Sequence, residues 1–119
     1  MLNKLDYVIL FVSDMKESIK FYKDILQLPM KSESEVWTEF LHGETMLALH
    51  SQTEGQNLDK NPKTGVAIGF VVNNIDSLCD ELKGKGVKFL EGPKDEEFGR
   101  HAVIVDLDGY MISLAQMKS

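Results

Sequence analysis

The sequence predicts an α+β fold: two tandem βαβββ modules forming a cupped mixed β-sheet with helices outside. Three observations predict it. Short apolar runs alternate in strand fashion and are bounded by turn residues. Only two segments carry apolar residues at helical spacing. The same order of elements then returns sixty positions on, so that Val8, Leu10 and Val12 fall on Ile68, Phe70 and Val72, while Met15, Ile19 and Tyr22 fall on Ile75, Cys79 and Leu82. A repeat of that length points to two copies of one supersecondary unit, each unable to cover its own sheet alone.

The elements follow in order. Leu5 to Val12 is apolar, β-branched and aromatic, and predicts a strand. Asp14 with Glu17 three residues on predicts a capping box that opens a helix. Met15, Ser18, Ile19, Tyr22, Ile25 and Leu26 share one face of that helix, and Leu28-Pro29 ends it. Met30 to Ser34, Val36 to Leu41 and Thr45 to His50 predict three strands, the last two joined by a turn at His42-Gly43-Glu44. Ser51 to Thr64 is the one long polar stretch and predicts a surface loop. Val66 to Val72 is the next strand. Asn73-Asn74 caps a helix carrying Ile75, Leu78, Cys79 and Leu82, which Gly84 and Gly86 close. Val87 to Leu90 predicts a strand and Gly92 to Gly99 a loop. Arg100 to Val105 and Tyr110 to Gln116 predict strands around the turn Asp106-Leu107-Asp108-Gly109. The whole is read as one domain over 1–119, with module one at 1–51, a linker at 52–64 and module two at 65–119.

Composition narrows the function. A chain of 119 residues is long enough for a self-supporting core, and 43% hydrophobic with 27% charged residues is ordinary globular usage. Thirteen basic against nineteen acidic residues leave a net charge of −6, which disfavours a nucleic-acid partner. No apolar run is long enough to span a bilayer, and the first residues lack a signal-peptide pattern, so the expectation is a cytoplasmic protein with no membrane partner. The single cysteine, Cys79, excludes an internal disulfide and any multi-cysteine metal site. It falls on the inner face of a helix and reads as a buried thiol.

The opening LDYVILFVSDMKESIKFYKDIL, the middle AIGFVVNNIDSLCDEL and the closing FGRHAVIVDLDGYMISL, in that order and spacing, resemble the vicinal oxygen chelate superfamily of glyoxalases, bleomycin-resistance proteins and extradiol dioxygenases. The resemblance spans essentially the whole chain. It implies a cup of strands and a homodimer. In the metal-dependent members, the opening strand of each half and the last strand of each half supply the ligands of a divalent ion. The matching positions here are Tyr7, Ala48, Ala67 and Ser113, a set poor in donor atoms. The expectation is therefore no metal and no cofactor.

Alternation fixes which residues share a face with those four positions. Tyr7 goes with Ile9 and Phe11, Ala48 with Met46 and His50, Ala67 with Gly69 and Val71, and Ser113 with Met111 and Ala115. Trp37 and Glu39 are assigned to the same side, because the opposite register would bury Glu39 against a helix. The predicted ligand-binding set is thus Tyr7, Ile9, Phe11, Trp37, Glu39, Met46, Ala48, His50, Ala67, Met111 and Ser113. This lining is apolar and aromatic with a few polar points, the make-up of a small-molecule pocket.

His50 is a candidate general base or lone metal ligand, against the plainer reading of a polar tip at a strand end. Glu39 is a candidate base or counter-charge, against that of an exposed carboxylate. Tyr7 and Trp37 are stacking platforms or plain aromatic wall. Ser113 is not read as a nucleophile, because no His–Asp pair is placed to activate it. Arg100 and His101 read as rim or structural residues, and Asp95-Glu96-Glu97 as a solvated loop or a lid. The expected function is capture of a small organic molecule without metal, in the manner of bleomycin-resistance proteins that sequester a toxic compound. The alternative is a lyase, isomerase or dioxygenase, using either a non-standard metal site of His50, Glu39 and Tyr7 or a metal-free acid/base site at His50 or Glu39.

Overall fold

The computed structural model describes residues 1–41 and 43–119. The turn expected at His42 lies outside the described residues. The chain divides into two compact units, Met1–Leu58 and Asp59–Ser119.

The first unit is built as β1 (Tyr7–Val12), α1 (Met15–Ile19) running straight into a π-helical segment (Lys20–Ile25), β2 (Met30–Ser32), β3 (Trp37–Phe40) and β4 (Met46–Ser51). The second unit has β5 (Lys63–Val71), α2 (Ile75–Gly84), β6 (Lys88–Glu96), β7 (Gly99–Val105) and β8 (Tyr110–Met117). Each forms a four-stranded mixed sheet, ordered β1-β4-β3-β2 in one and β5-β8-β7-β6 in the other. The first strand runs parallel to the last, and the remaining neighbours are antiparallel. The α+β class and the two similar βαβββ modules are therefore as the sequence predicts. No helix among the described residues is long and apolar enough to cross a membrane.

In the first unit Asp14 caps α1 by accepting from the backbone N–H of Glu17 at 3.1 Å. Glu17 turns its carboxylate to Lys20 instead, at 3.5 Å, so the cap is one-sided. The helical face departs from a 3.6-residue count. Phe21 is buried beside Tyr22, whereas the spacing alone places only Tyr22 inward. The cause is the π-helical segment, where the N–H of Leu26 donates to the carbonyl of Phe21 five residues back, which widens the turn and shifts the inward face. Phe21, Tyr22 and Phe40 stack in series against Leu10, Val12, Leu47 and Leu49 to make this unit's core.

In the second unit Asn74 caps α2, and Ile75, Cys79 and Leu82 face β6, β7 and β8. Ala102, Ile104, Ile112 and Leu114 complete that core. The segment expected as a loop from Gly92 corrects to strand: β6 continues to Glu96, pairing Lys94 with His101 and Asp95 with Arg100. Its register slips twice against β7, between Phe89 and Glu91 and between Glu91 and Lys94, and such bulges erase the two-residue alternation that marks a strand in a sequence. The β7–β8 turn is held by the buried Asp106, whose Oδ1 accepts from the N–H groups of Asp108 at 3.0 Å and Tyr110 at 2.8 Å.

Two glycines separate backbone strain from packing. Gly55 and Gly109 both sit at φ +85°, but a side chain at Gly55 meets nothing within 4 Å, while at Gly109 it runs into the carbonyl oxygen of Asn61. Gly55→Ala is expected to cost at most about 1–2 kcal/mol, the ordinary left-handed penalty. Gly109→Ala is expected to cost clearly more, because backbone has to move. Urea unfolding of the two variants side by side measures the difference, and equal midpoints would remove the packing contribution.

Candidate functional site

Residues directly opposite each other on paired strands project to the same side of a sheet. In the first unit Tyr7, Ile9 and Phe11 stand opposite Met46, Ala48 and His50. Glu39 and Trp37 stand opposite Ala48 and His50. These eight side chains share the side turned away from the helix, since Phe40, one residue along, stacks on Tyr22 at 6.0 Å. The aromatic rings form one chain of contacts. Tyr7 and Trp37 meet edge-on at 6.3 Å, Trp37 and His50 edge-on at 6.0 Å, and His50 and Phe11 at 5.1 Å. Tyr7 is 51% exposed and Ile9 36%, so this wall is open to an incoming molecule.

Two polar groups are set into the wall. The indole N–H of Trp37 donates to Oε2 of Glu39 at 2.7 Å, and Lys31 Nζ stands 3.6 Å from Oε1. Glu39 thus has both oxygens engaged and fixes the tilt of the indole. His50 Nδ1 lies 2.6 Å from the carbonyl oxygen of Ser51. A carbonyl only accepts, so Nδ1 carries the proton in this bond, and Nε2 is the ring nitrogen left to face a ligand.

In the second unit Ala67, Gly69 and Val71 stand opposite Met111, Ser113 and Ala115. His101 faces Ala115, and Val103 faces Ser113. That parity puts His101 diagonally beside Ser113, and its Nε2 lies 2.6 Å from Ser113 Oγ. Gly69, directly opposite Ser113, leaves open space where a side chain would stand. Glu91 and Glu96 from β6 each bring a carboxylate oxygen within 4.8 Å of a ring nitrogen of His101. This is the one group of three His, Cys, Asp or Glu residues among the described residues with the compactness to hold a metal ion. A cation already stands there, however. Lys94 Nζ is 2.7 Å from Glu91 Oε1 and 3.7 Å from Glu96 Oε1. The hydrogen bond to Glu91 raises the Lys94 pKa, so the ammonium keeps its charge and a metal has to displace it.

The predicted residues therefore fall into two groups: Tyr7, Ile9, Phe11, Trp37, Glu39, Met46, Ala48 and His50 on the first sheet, and Ala67, Met111 and Ser113 on the second. Sequence reasoning missed the neighbourhood of Ser113. His101 is its hydrogen-bond partner, and Glu91 and Glu96 stand behind that histidine. Counting outward from the Asp106–Gly109 turn pairs Val103 with Ser113 and would have placed His101 on that face. No comparable signal exists for Glu91, which the bulges in β6 bring round.

Comparison with known proteins adds the ancestry of this architecture. Residues 4–114 match the glyoxalase/bleomycin resistance protein/dioxygenase superfamily. The chain belongs to that superfamily. Among similar members, the uncharacterized protein YraH of Bacillus subtilis (strain 168) is 33% identical over 96% of this chain and 98% of its own length. The metallothiol transferase FosB of Staphylococcus haemolyticus (strain JCSC1435) is 29% identical over 96% of this chain and 84% of its own. TnmS3, an antibiotic binding protein from Streptomyces sp. CB03234, shares the fold with a TM-score of 0.79 at 22% identity, covering 98% of both chains.

The superfamily's metal-dependent members imply a divalent ion, and the residues at the matching positions do not fit one. Ala48 and Ala67 have no donor atom, and Ala48 is fully buried beneath its neighbours. The Ser113 hydroxyl is taken up by His101, which leaves the Tyr7 phenol as the fourth group. Neutral hydroxyls are weak ligands beside imidazole or carboxylate.

Cys79 is set apart from both faces. It is 1% exposed on the inner side of α2, and burial pushes its thiol pKa up from 9.0. Raising an acid's pKa keeps it protonated, so the thiolate that attacks a disulfide reagent is scarce in the folded protein. At pH 8 a chromogenic disulfide is expected to react with Cys79 at least tenfold more slowly in buffer than in guanidinium chloride. Equal rates would place the thiol in contact with solvent.

Proposed function

We propose that this chain is a glyoxalase/bleomycin-resistance-like protein that binds a small organic molecule on an apolar-aromatic surface without a metal ion, and so sequesters it. The observation that carries the reading is the chain of Tyr7, Trp37, His50 and Phe11 on one open sheet face. Such a wall presents ring faces and edges for a flat partner, and the half-exposed Tyr7 and Ile9 gain most from being covered. The Trp37–Glu39 hydrogen bond holds the largest ring in place before a ligand arrives, which lowers the entropy lost on binding. His50 Nε2 supplies a polar point that orients the ligand. The poor donor set at the family's ligand positions supports the metal-free part of the proposal. A Streptomyces protein of the same fold is an antibiotic binding protein, in keeping with a role in capture.

A homodimer belongs to the same proposal. Val66 and Val71 on the edge strand β5 are 76% and 69% exposed, and the open edge of that strand is where a second copy would cover them. The net charge of −6 supports a partner other than nucleic acid.

The test is a thermal-shift screen of polycyclic aromatic compounds and metabolites, with and without divalent metals, followed by Trp37 fluorescence titration of each hit. A ligand at a hundred times its Kd is expected to add about 2.7 kcal/mol of stability. Trp37→Ala is expected to weaken it at least tenfold while leaving the melting point of the free protein within a few degrees. Stabilisation by divalent metal alone, with one ion per chain in the purified protein, would overturn the metal-free reading.

A further inference from the structure

We propose that Ser113 and His101 form an activated hydroxyl, a nucleophilic site for small carboxylic esters with an apolar acyl group. This goes beyond ligand capture and stands on the second unit alone. The histidine presents Nε2 to the serine oxygen at 2.6 Å, the arrangement in which an imidazole takes the proton as the oxygen attacks. Both side chains are half-buried, so the pair is partly shielded from water yet reachable. Glu91 and Glu96 lie within 4.8 Å of a ring nitrogen of the same histidine and stabilise the imidazolium that forms. Lys94 balances one of these two charges, so the field at His101 stays anionic without a doubly charged, unpaired cluster.

Space for a substrate is built in beside the oxygen. Gly69 stands directly opposite Ser113 on β5, and nothing lies within 4 Å of where its side chain would be. The rest of the surround is apolar: Val103 on one side, Met111 and Ala115 along β8. An apolar acyl group fits that notch.

The step balances. Ser113 Oγ forms a bond to the acyl carbon while its proton moves to His101 Nε2. The C–O bond to the alcohol breaks, and the alcohol leaves with that proton. Water then gives a proton to the same nitrogen and attacks the acyl carbon; the bond from that carbon to Ser113 Oγ breaks, the proton passes from His101 to Oγ, and the carboxylic acid leaves.

The experiment treats the full chain with an alkyl fluorophosphonate, which forms an Oγ–P bond and expels fluoride. Intact-mass measurement is expected to show one adduct per chain, mapped by peptide sequencing to Ser113. Ser113→Ala abolishes it. His101→Gln slows it by roughly 10²-fold or more, the usual span of general-base catalysis. Gly69→Val keeps the hydroxyl and fills the notch, so it blocks labelling even if Ser113→Ala fails to fold. No adduct, an adduct elsewhere, a rate unchanged in His101→Gln, or labelling that requires added zinc would each overturn the assignment. Ligand capture at Trp37 is read separately by fluorescence, so either proposal fails without the other.

Discussion

The parallel ladder between β1 and β4, and its counterpart between β5 and β8, decide what every other strand residue does. A strand has a side-chain period of two, so a slip of one residue would carry Leu10, Val12, Leu47 and Leu49 out to solvent and bring Tyr7 and His50 under the helix. That exchange strips several kcal/mol of apolar burial from a small core and buries polar groups without partners. The register is therefore held by the hydrophobic contrast between the two faces. The outward face inherits its composition from the same constraint, and whatever chemistry it carries is positioned by the packing beneath it.

Each outward face also handles its charge in the same way. Glu39 is paired with Lys31 and hydrogen-bonded by the Trp37 indole. Glu91 and Glu96 share Lys94. In both units a lysine from an outer strand supplies the cation that a half-buried carboxylate needs. These pairs are partly exposed and add little to stability. Their effect is on position: Glu39 fixes the indole, and the β6 carboxylates set the field around His101.

Much of this was legible in the sequence because it rests on short-range rules. Alternation gave the faces of β1, β3, β4, β5 and β8, and the Asp14 and Asn74 caps marked both helix starts. The register of β3 followed from the cost of turning Glu39 toward a helix. What stayed hidden has one physical character, namely departure from ideal periodicity. The π-helical turn brought Phe21 inward against a 3.6-residue count. The bulges in β6 hid a strand inside a polar, glycine- and proline-containing segment and moved Glu91 and Glu96 to His101. The Ser113–His101 contact is intermediate. It joins residues twelve apart across a turn whose sequence is plain, but it is a diagonal contact, which parity allows and only the twist of the sheet brings to 2.6 Å.

The residues at the family's ligand positions are consistent with one another. A carboxylate at Ala48 would sit at a site with no solvent exposure, and without a dication it would be an unpaired buried charge costing several kcal/mol. Alanine at this position gives the sheet an apolar floor. At Ser113 the half-buried hydroxyl needs a partner, and His101 provides it. One face is therefore an apolar wall, and the other carries a serine whose only side-chain hydrogen bond among the described residues is to an imidazole.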